Sequence, residues 1–220
     1  MKKRRVRPRL RPWLWAVEEQ LSILRRFDAV GIYAAKAGEF ANYFGTFRSE
    51  YSLTRGASGS FLRLNKKKFI RVCDQHFRKK PKNLKEAQGI WIASVRDLQK
   101  GTGLTEQLWS ATLKAYWFYQ PRSVPMYDQN VRKGLSQEER RFQSVGRLPK
   151  AITPGNYLQF FEAFYERSRP LIEEALAFVD RDYPFPLRIA DKYLWHIGND
   201  TAEDPVGQFQ KGLRIAPYRA

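Results

Sequence analysis

Between Leu98 and Asp128 the sequence sets out, in order, a Gly-x-Gly turn (Gly101, Thr102, Gly103), a lysine (Lys114) and a carboxylate (Asp128). Glycines in a turn between helices let backbone N–H groups approach a phosphate closely, and the start of the next helix adds a favourable dipole. Lys100 and Thr105 flank the turn and join Gly101, Thr102 and Gly103 as candidate contacts to a phosphodiester, a grip that reads no base sequence. A carboxylate at Asp128 can stabilise positive charge and can orient or deprotonate water. Each feature also has a plainer use: an ordinary interhelical turn, a helix N-cap at Asp128, and a lysine at 114 snorkelling from an apolar helix.

The order of these features, with Val124-Pro125-Met126-Tyr127-Asp128-Gln129-Asn130-Val131 closing the stretch, resembles the helix–hairpin–helix superfamily of DNA base-excision glycosylases. The segment 183–195, Tyr-Pro-Phe-Pro-Leu-Arg-Ile-Ala-Asp-Lys-Tyr-Leu-Trp, looks like bacterial proteins with the 8-oxoguanine-glycosylase fold. The resemblance covers about residues 60–198 and implies an all-helical domain that binds duplex DNA, flips a base, and cleaves its N-glycosidic bond to leave an abasic site, in repair or in defence against modified phage DNA. It makes Asp128 the catalytic carboxylate. Bifunctional members of that family carry a lysine directly after the hairpin. Here Thr105 falls at that place, and Lys114 lies about 2.5 turns farther on. The expectation is therefore monofunctional, water-mediated hydrolysis, with Lys114 reaching the site only if the hairpin aligns differently.

A flipped base needs stacking faces and polar edges. Tyr127 is the best placed candidate, with Trp117, Tyr119 and Asp191 as further pocket candidates; the plainer readings are core packing for the aromatics and an ion pair with Arg188 or Lys192 for Asp191. Arg132 and Lys133 follow Asp128 and are candidate phosphate contacts. Arg63, Lys66, Lys67 and Lys68 belong to a wider basic footprint.

Charge supports a polyanionic partner. Lys and Arg number 40 against 22 Asp and Glu, a net +18, and a field of that sign draws in nucleic acid and speeds its association. Seven basic residues and no acid occupy 1–12, and ten more face the single Asp74 in 63–85. The rival to an enzyme is a non-catalytic DNA- or RNA-binding protein on the same scaffold, and a third reading is a protein-interaction factor. One cysteine (Cys73) and two histidines exclude an internal disulfide and leave little from which to build a metal centre. No cofactor is expected, nor a membrane span; the reading is a cytoplasmic monomer.

These residues need helices to hold them. Leu14, Val17, Leu21 and Leu24 predict an amphipathic helix over 13–27, after a basic flexible arm at 1–12. An N-terminal helical part extends to 55, then Gly56-Ala57-Ser58-Gly59-Ser60 reads as a flexible turn before a domain at 61–220. Helices are predicted over 61–78, over 84–100, from a Thr105 cap to about Tyr119, and from Asp128 to Gly134. Three more are predicted at 156–168, 170–180 and 187–198. The fold class is mostly α.

Overall fold

The computed structural model describes residues 7–27, 40–50, 56–100, 108–142, 151–179 and 183–199, apart from some side chains within them. Among these residues every regular element is helical. After a 3₁₀ turn at Pro8–Leu10 come α1 (Arg11–Phe27), α2 (Phe40–Glu50), α3 (Gly56–Leu64), α4 (Lys66–Phe77), α5 (Leu84–Gln99), α6 (Trp109–Tyr119), α7 (Gln129–Phe142), α8 (Tyr157–Val179) and α9 (Pro186–Ile197). The Gly101–Gly103 turn, Thr105 and residues 1–6 lie outside the described residues.

Helix α6 occupies the centre. Every residue from Ala111 to Tyr119 is buried, so it is apolar all round, as a helix surrounded by others must be. On one side Phe77 of α4 stacks on Tyr116 with ring centroids 4.4 Å apart. Phe40 of α2 packs against Phe118 and Tyr119 at 5.1 and 5.2 Å. On the other side Trp91 of α5 donates its indole N–H to the Thr112 hydroxyl at 3.0 Å. Helix α1 lies on α8 and α9, where Trp13 stacks face to face on Tyr193 at 4.0 Å. Asn83 starts α5 by accepting the Glu86 N–H at 2.8 Å, a side-chain cap of the usual kind.

Five sequence expectations are corrected. Residues 56–60 are the first turn and more of α3 rather than a loop; Phe61 and Leu62 bury behind them, and packing outweighs the low helix propensity of Gly and Ser. The single helix expected over 61–78 is two, broken at Asn65. Helix α6 begins after Leu108, so Thr105 is not its cap. The helix after Asp128 runs on to Phe142 with Gly134 inside it, and the two helices expected at 156–168 and 170–180 are one, with Pro170 within. Pro170 and Glu166, whose carbonyl loses its helical partner there, are both exposed, so water takes the place of the missing N–H.

Gly134 serves a packing purpose. A Cβ at 134 would lie 2.0 Å from the Leu194 carbonyl oxygen, and one at 198 would lie 1.9 Å from the Asn130 carbonyl oxygen. Helices α7 and α9 thus meet backbone to backbone at two glycines. This contact fixes the first turn of α7, and with it Asp128.

Candidate active site

Lys114 and Asp128, fourteen residues apart in sequence, meet in space. The Lys114 ammonium donates to Asp128 Oδ2 at 3.3 Å. The lysine side chain is 11% exposed and the aspartate 29%, so the pair sits at the edge of the core with the carboxylate on the solvent side. The expectation that Lys114 stands off from the site is corrected: the helix starts later than its sequence suggested, and this places Lys114 in its second turn, facing the end of the 120–128 loop.

That loop is held by hydrogen bonds at both sides of Met126. Its N–H donates to Asp191 Oδ2 at 3.3 Å, and its carbonyl accepts the Tyr157 hydroxyl at 2.6 Å. The Ser110 hydroxyl donates to the Tyr127 carbonyl at 2.9 Å. Asp128 then closes the loop as the N-cap of α7, its Oδ1 accepting the Asn130 N–H at 2.9 Å. One carboxylate oxygen therefore caps the helix while the other faces Lys114.

Tyr127 packs on Trp91 and Tyr157, at 5.3 and 4.9 Å between centroids. Burial raises its hydroxyl pKa, and the Arg132 charge works against that. Trp117 and Tyr119, the other aromatic pocket candidates, are core residues. Trp117 is 1% exposed, with the Arg188 guanidinium over its ring at 5.4 Å; Tyr119 donates its hydroxyl to Asp74 of α4 at 2.8 Å.

Asp191 is fully buried and paired with Arg188, three residues back. Burial pushes its carboxyl up to about 6; the Arg188 charge pulls it down, and Asp128 adds a smaller upward push. It is a strut under the loop, and its place at 0% exposure sets it apart from any open pocket. A carboxyl whose folded pKa is raised stabilises the fold while protonated, below its ordinary 3.8, and that contribution is lost as the pH climbs through about 6. Asparagine keeps the acceptor for Met126 and cannot ionise. Between pH 4 and 7 the wild type should therefore lose on the order of 3 kcal/mol relative to Asp191→Asn. Denaturant unfolding of both proteins across that range checks this; a difference that stays flat, or shifts in favour of the wild type, contradicts it.

The basic candidates divide. Lys66 and Lys67 are exposed, as is Arg63. Lys68 instead donates to the Lys100 carbonyl at the end of α5, where it meets the negative end of the helix dipole. Lys100 itself pairs with Asp97 at 2.7 Å, and Asp97 also meets His76 at 2.8 Å. The hydrogen bond from Lys100, and then that from His76, lower the Asp97 carboxyl pKa. This network secures the helix end from which residues 101–107 depart. Arg132 and Lys133 line an open groove on α7 with Arg140.

Sequence reasoning passed over Tyr157, Trp91 and Ser110, which hold the loop from distant helices. Their apolar or small-residue context carried no signal of that task. Among the described residues no cluster of His, Cys, Asp and Glu is suited to hold a metal ion, and no helix is long and apolar enough to cross a membrane. No protein-family model, curated protein or solved structure matches the chain.

Proposed function

We propose that this chain is a DNA N-glycosylase whose reacting groups are Asp128 and Lys114. The observation that carries the reading is the 3.3 Å pair of an amine and a carboxylate at the edge of the core, held by a loop pinned at Met126, beside a cationic helix face. A chain of net charge +18 brings DNA to that face, and an extruded nucleotide would present its sugar to the carboxylate.

The chemistry follows from the two groups. As the bond between the base and C1′ weakens, positive charge grows on the sugar and the Asp128 carboxylate stabilises it. Lys114 must lose a proton to act as a nucleophile, and Asp128 Oδ2 is the acceptor at hand. The neutral Nζ then attacks C1′ as the base departs with the glycosidic electron pair and takes up the proton from Asp128, which restores the carboxylate beside the sugar. Opening of the sugar ring, with proton transfer to its oxygen, leaves an imine between C1′ and Nζ, which water hydrolyses to free the lysine. A covalent route thus replaces the water-mediated one expected when Thr105 stood in the nucleophile's place. The test is release of base from duplexes each carrying one modified base, or from modified phage DNA, scored as abasic sites. Release by the wild type that Asp128→Asn abolishes supports the reading; no release from any substrate contradicts it.

One observation favours the second reading, a nucleic-acid-binding protein without catalysis: Asp128 already has a structural task as the α7 cap. Asparagine caps a helix as well as aspartate does, so Asp128→Asn separates charge from capping. Under the binding reading that variant leaves every activity intact.

A further inference from the structure

Helix α7 carries a groove on its outer face. Among the described residues, Arg132, Lys133, Ser136, Gln137 and Arg140 line it, together with Ala151 and Ile152, around about 450 Å³ of space. Val131, Gly134, Leu135 and Glu138 turn the other way into the core, so the lining is one continuous helix face. Among its described lining residues three are cations and none is a carboxylate. Arg132 and Arg140 stand eight residues apart, about 12 Å along the axis, a span that suits successive charges on a chain better than one small anion. Arg140 is tied back along the helix by its Nε, which donates to the Ser136 carbonyl at 3.2 Å. At the near end the Arg132 N–H donates to the Asp128 carbonyl at 3.0 Å, and its charge acts on the Tyr127 hydroxyl. The groove therefore begins one helical turn from the Lys114–Asp128 pair and leads away from it.

We propose that this groove seats the phosphodiester backbone of the DNA strand flanking the nucleotide offered to Asp128. The register rests on the glycosylase reading, while binding in the groove needs only its charge and shape. Arginine forks match phosphate geometry, and a strand running through the groove would exchange condensed counterions for these side chains.

The test is fluorescence anisotropy on a labelled duplex bearing a tetrahydrofuran abasic analogue, over a series of salt concentrations. Lys133→Gln with Arg140→Gln should weaken binding at least about tenfold at low salt and flatten the salt dependence by about two counterions; Arg140→Gln alone, at an exposed position, should flatten it by about one. The charge-matched pair Lys79→Gln with Lys80→Gln, exposed at the far end of α4, should change the slope less. An unchanged slope in the groove variants, or an equal loss in the control pair, overturns the proposal in favour of a diffuse basic field. Displacement of the duplex by poly-glutamate at equal charge concentration overturns it in favour of a general polyanion site. Because the readout is binding, failed base release with the expected slopes counts against Asp128 alone, whereas base release with unchanged slopes counts against the groove alone.

Discussion

Asp128→Asn should lower the rate of base release by about 10²- to 10⁴-fold, the usual contribution of one positioned acid–base group, while leaving the protein folded. The two expectations have separate origins. Catalysis asks for a negative charge beside a cationic sugar and for an acceptor of the Lys114 proton; an amide supplies neither. Stability asks only for an oxygen that accepts the Asn130 N–H, and an amide supplies that. The Lys114 ammonium loses its charged partner at a site where it is 11% exposed, so a modest fall in melting temperature is expected alongside the kinetic loss. Base release and thermal unfolding, measured on the same preparation, separate the effects. Wild-type rates in a stable variant contradict the catalytic role. A variant that fails to fold would instead place Asp128 among residues needed for architecture, and Lys114→Gln would then carry the kinetic question.

Gly134→Ala should destabilise the fold by about 3 kcal/mol or more, at the upper end of overpacking effects. On helix propensity alone the change should stabilise by about 1 kcal/mol. The close approach reverses the sign, because the new Cβ would sit 2.0 Å from the Leu194 carbonyl oxygen, and a backbone atom inside a helix has little freedom to retreat. At roughly 2–4 °C per kcal/mol for a chain of this size, the melting temperature should fall by about 6 °C or more. Gly89→Ala is the internal control. Gly89 is also inside a helix, with nothing within 4 Å of its added Cβ, and should gain about 0.5–1 kcal/mol. Equal shifts at the two positions would show that α7 and α9 do not meet as described.

Helices whose apolar residues recur on one face were legible in the sequence: α1 and α5 lie where such spacing predicts helices over 13–27 and 84–100, and α9 lies within the stretch 187–198 predicted as helical. Boundaries set by tertiary contact were not. Gly134 reads as a helix end, because the reason for a glycine there is a neighbouring carbonyl sixty residues away. Pro170 reads as a break for the same kind of reason, since its tolerance depends on which side of α8 faces water. At the site, Asp128 and its capping position followed from local chemistry. The approach of Lys114 did not, because it depends on how α6 packs against the end of the 120–128 loop, a contact between segments fourteen residues apart that no local pattern marks. Asp191 could be read as an ion pair with Arg188 from their spacing of three, but its support of Met126 joins segments 65 residues apart and leaves no local pattern.

The most direct test of the Lys114–Asp128 pair is reductive trapping on a duplex that already contains an abasic site, which makes the identity of the excised base immaterial. With cyanoborohydride present, the wild type should form a covalent protein–DNA adduct whose modified peptide contains Lys114. Lys114→Gln should abolish that adduct, Asp128→Asn should slow it sharply, and Lys66→Gln with Lys67→Gln should leave it in place. An adduct of undiminished yield in Lys114→Gln, or its mapping to exposed lysines of α4, would contradict the assignment and leave a cationic DNA-binding protein without this chemistry.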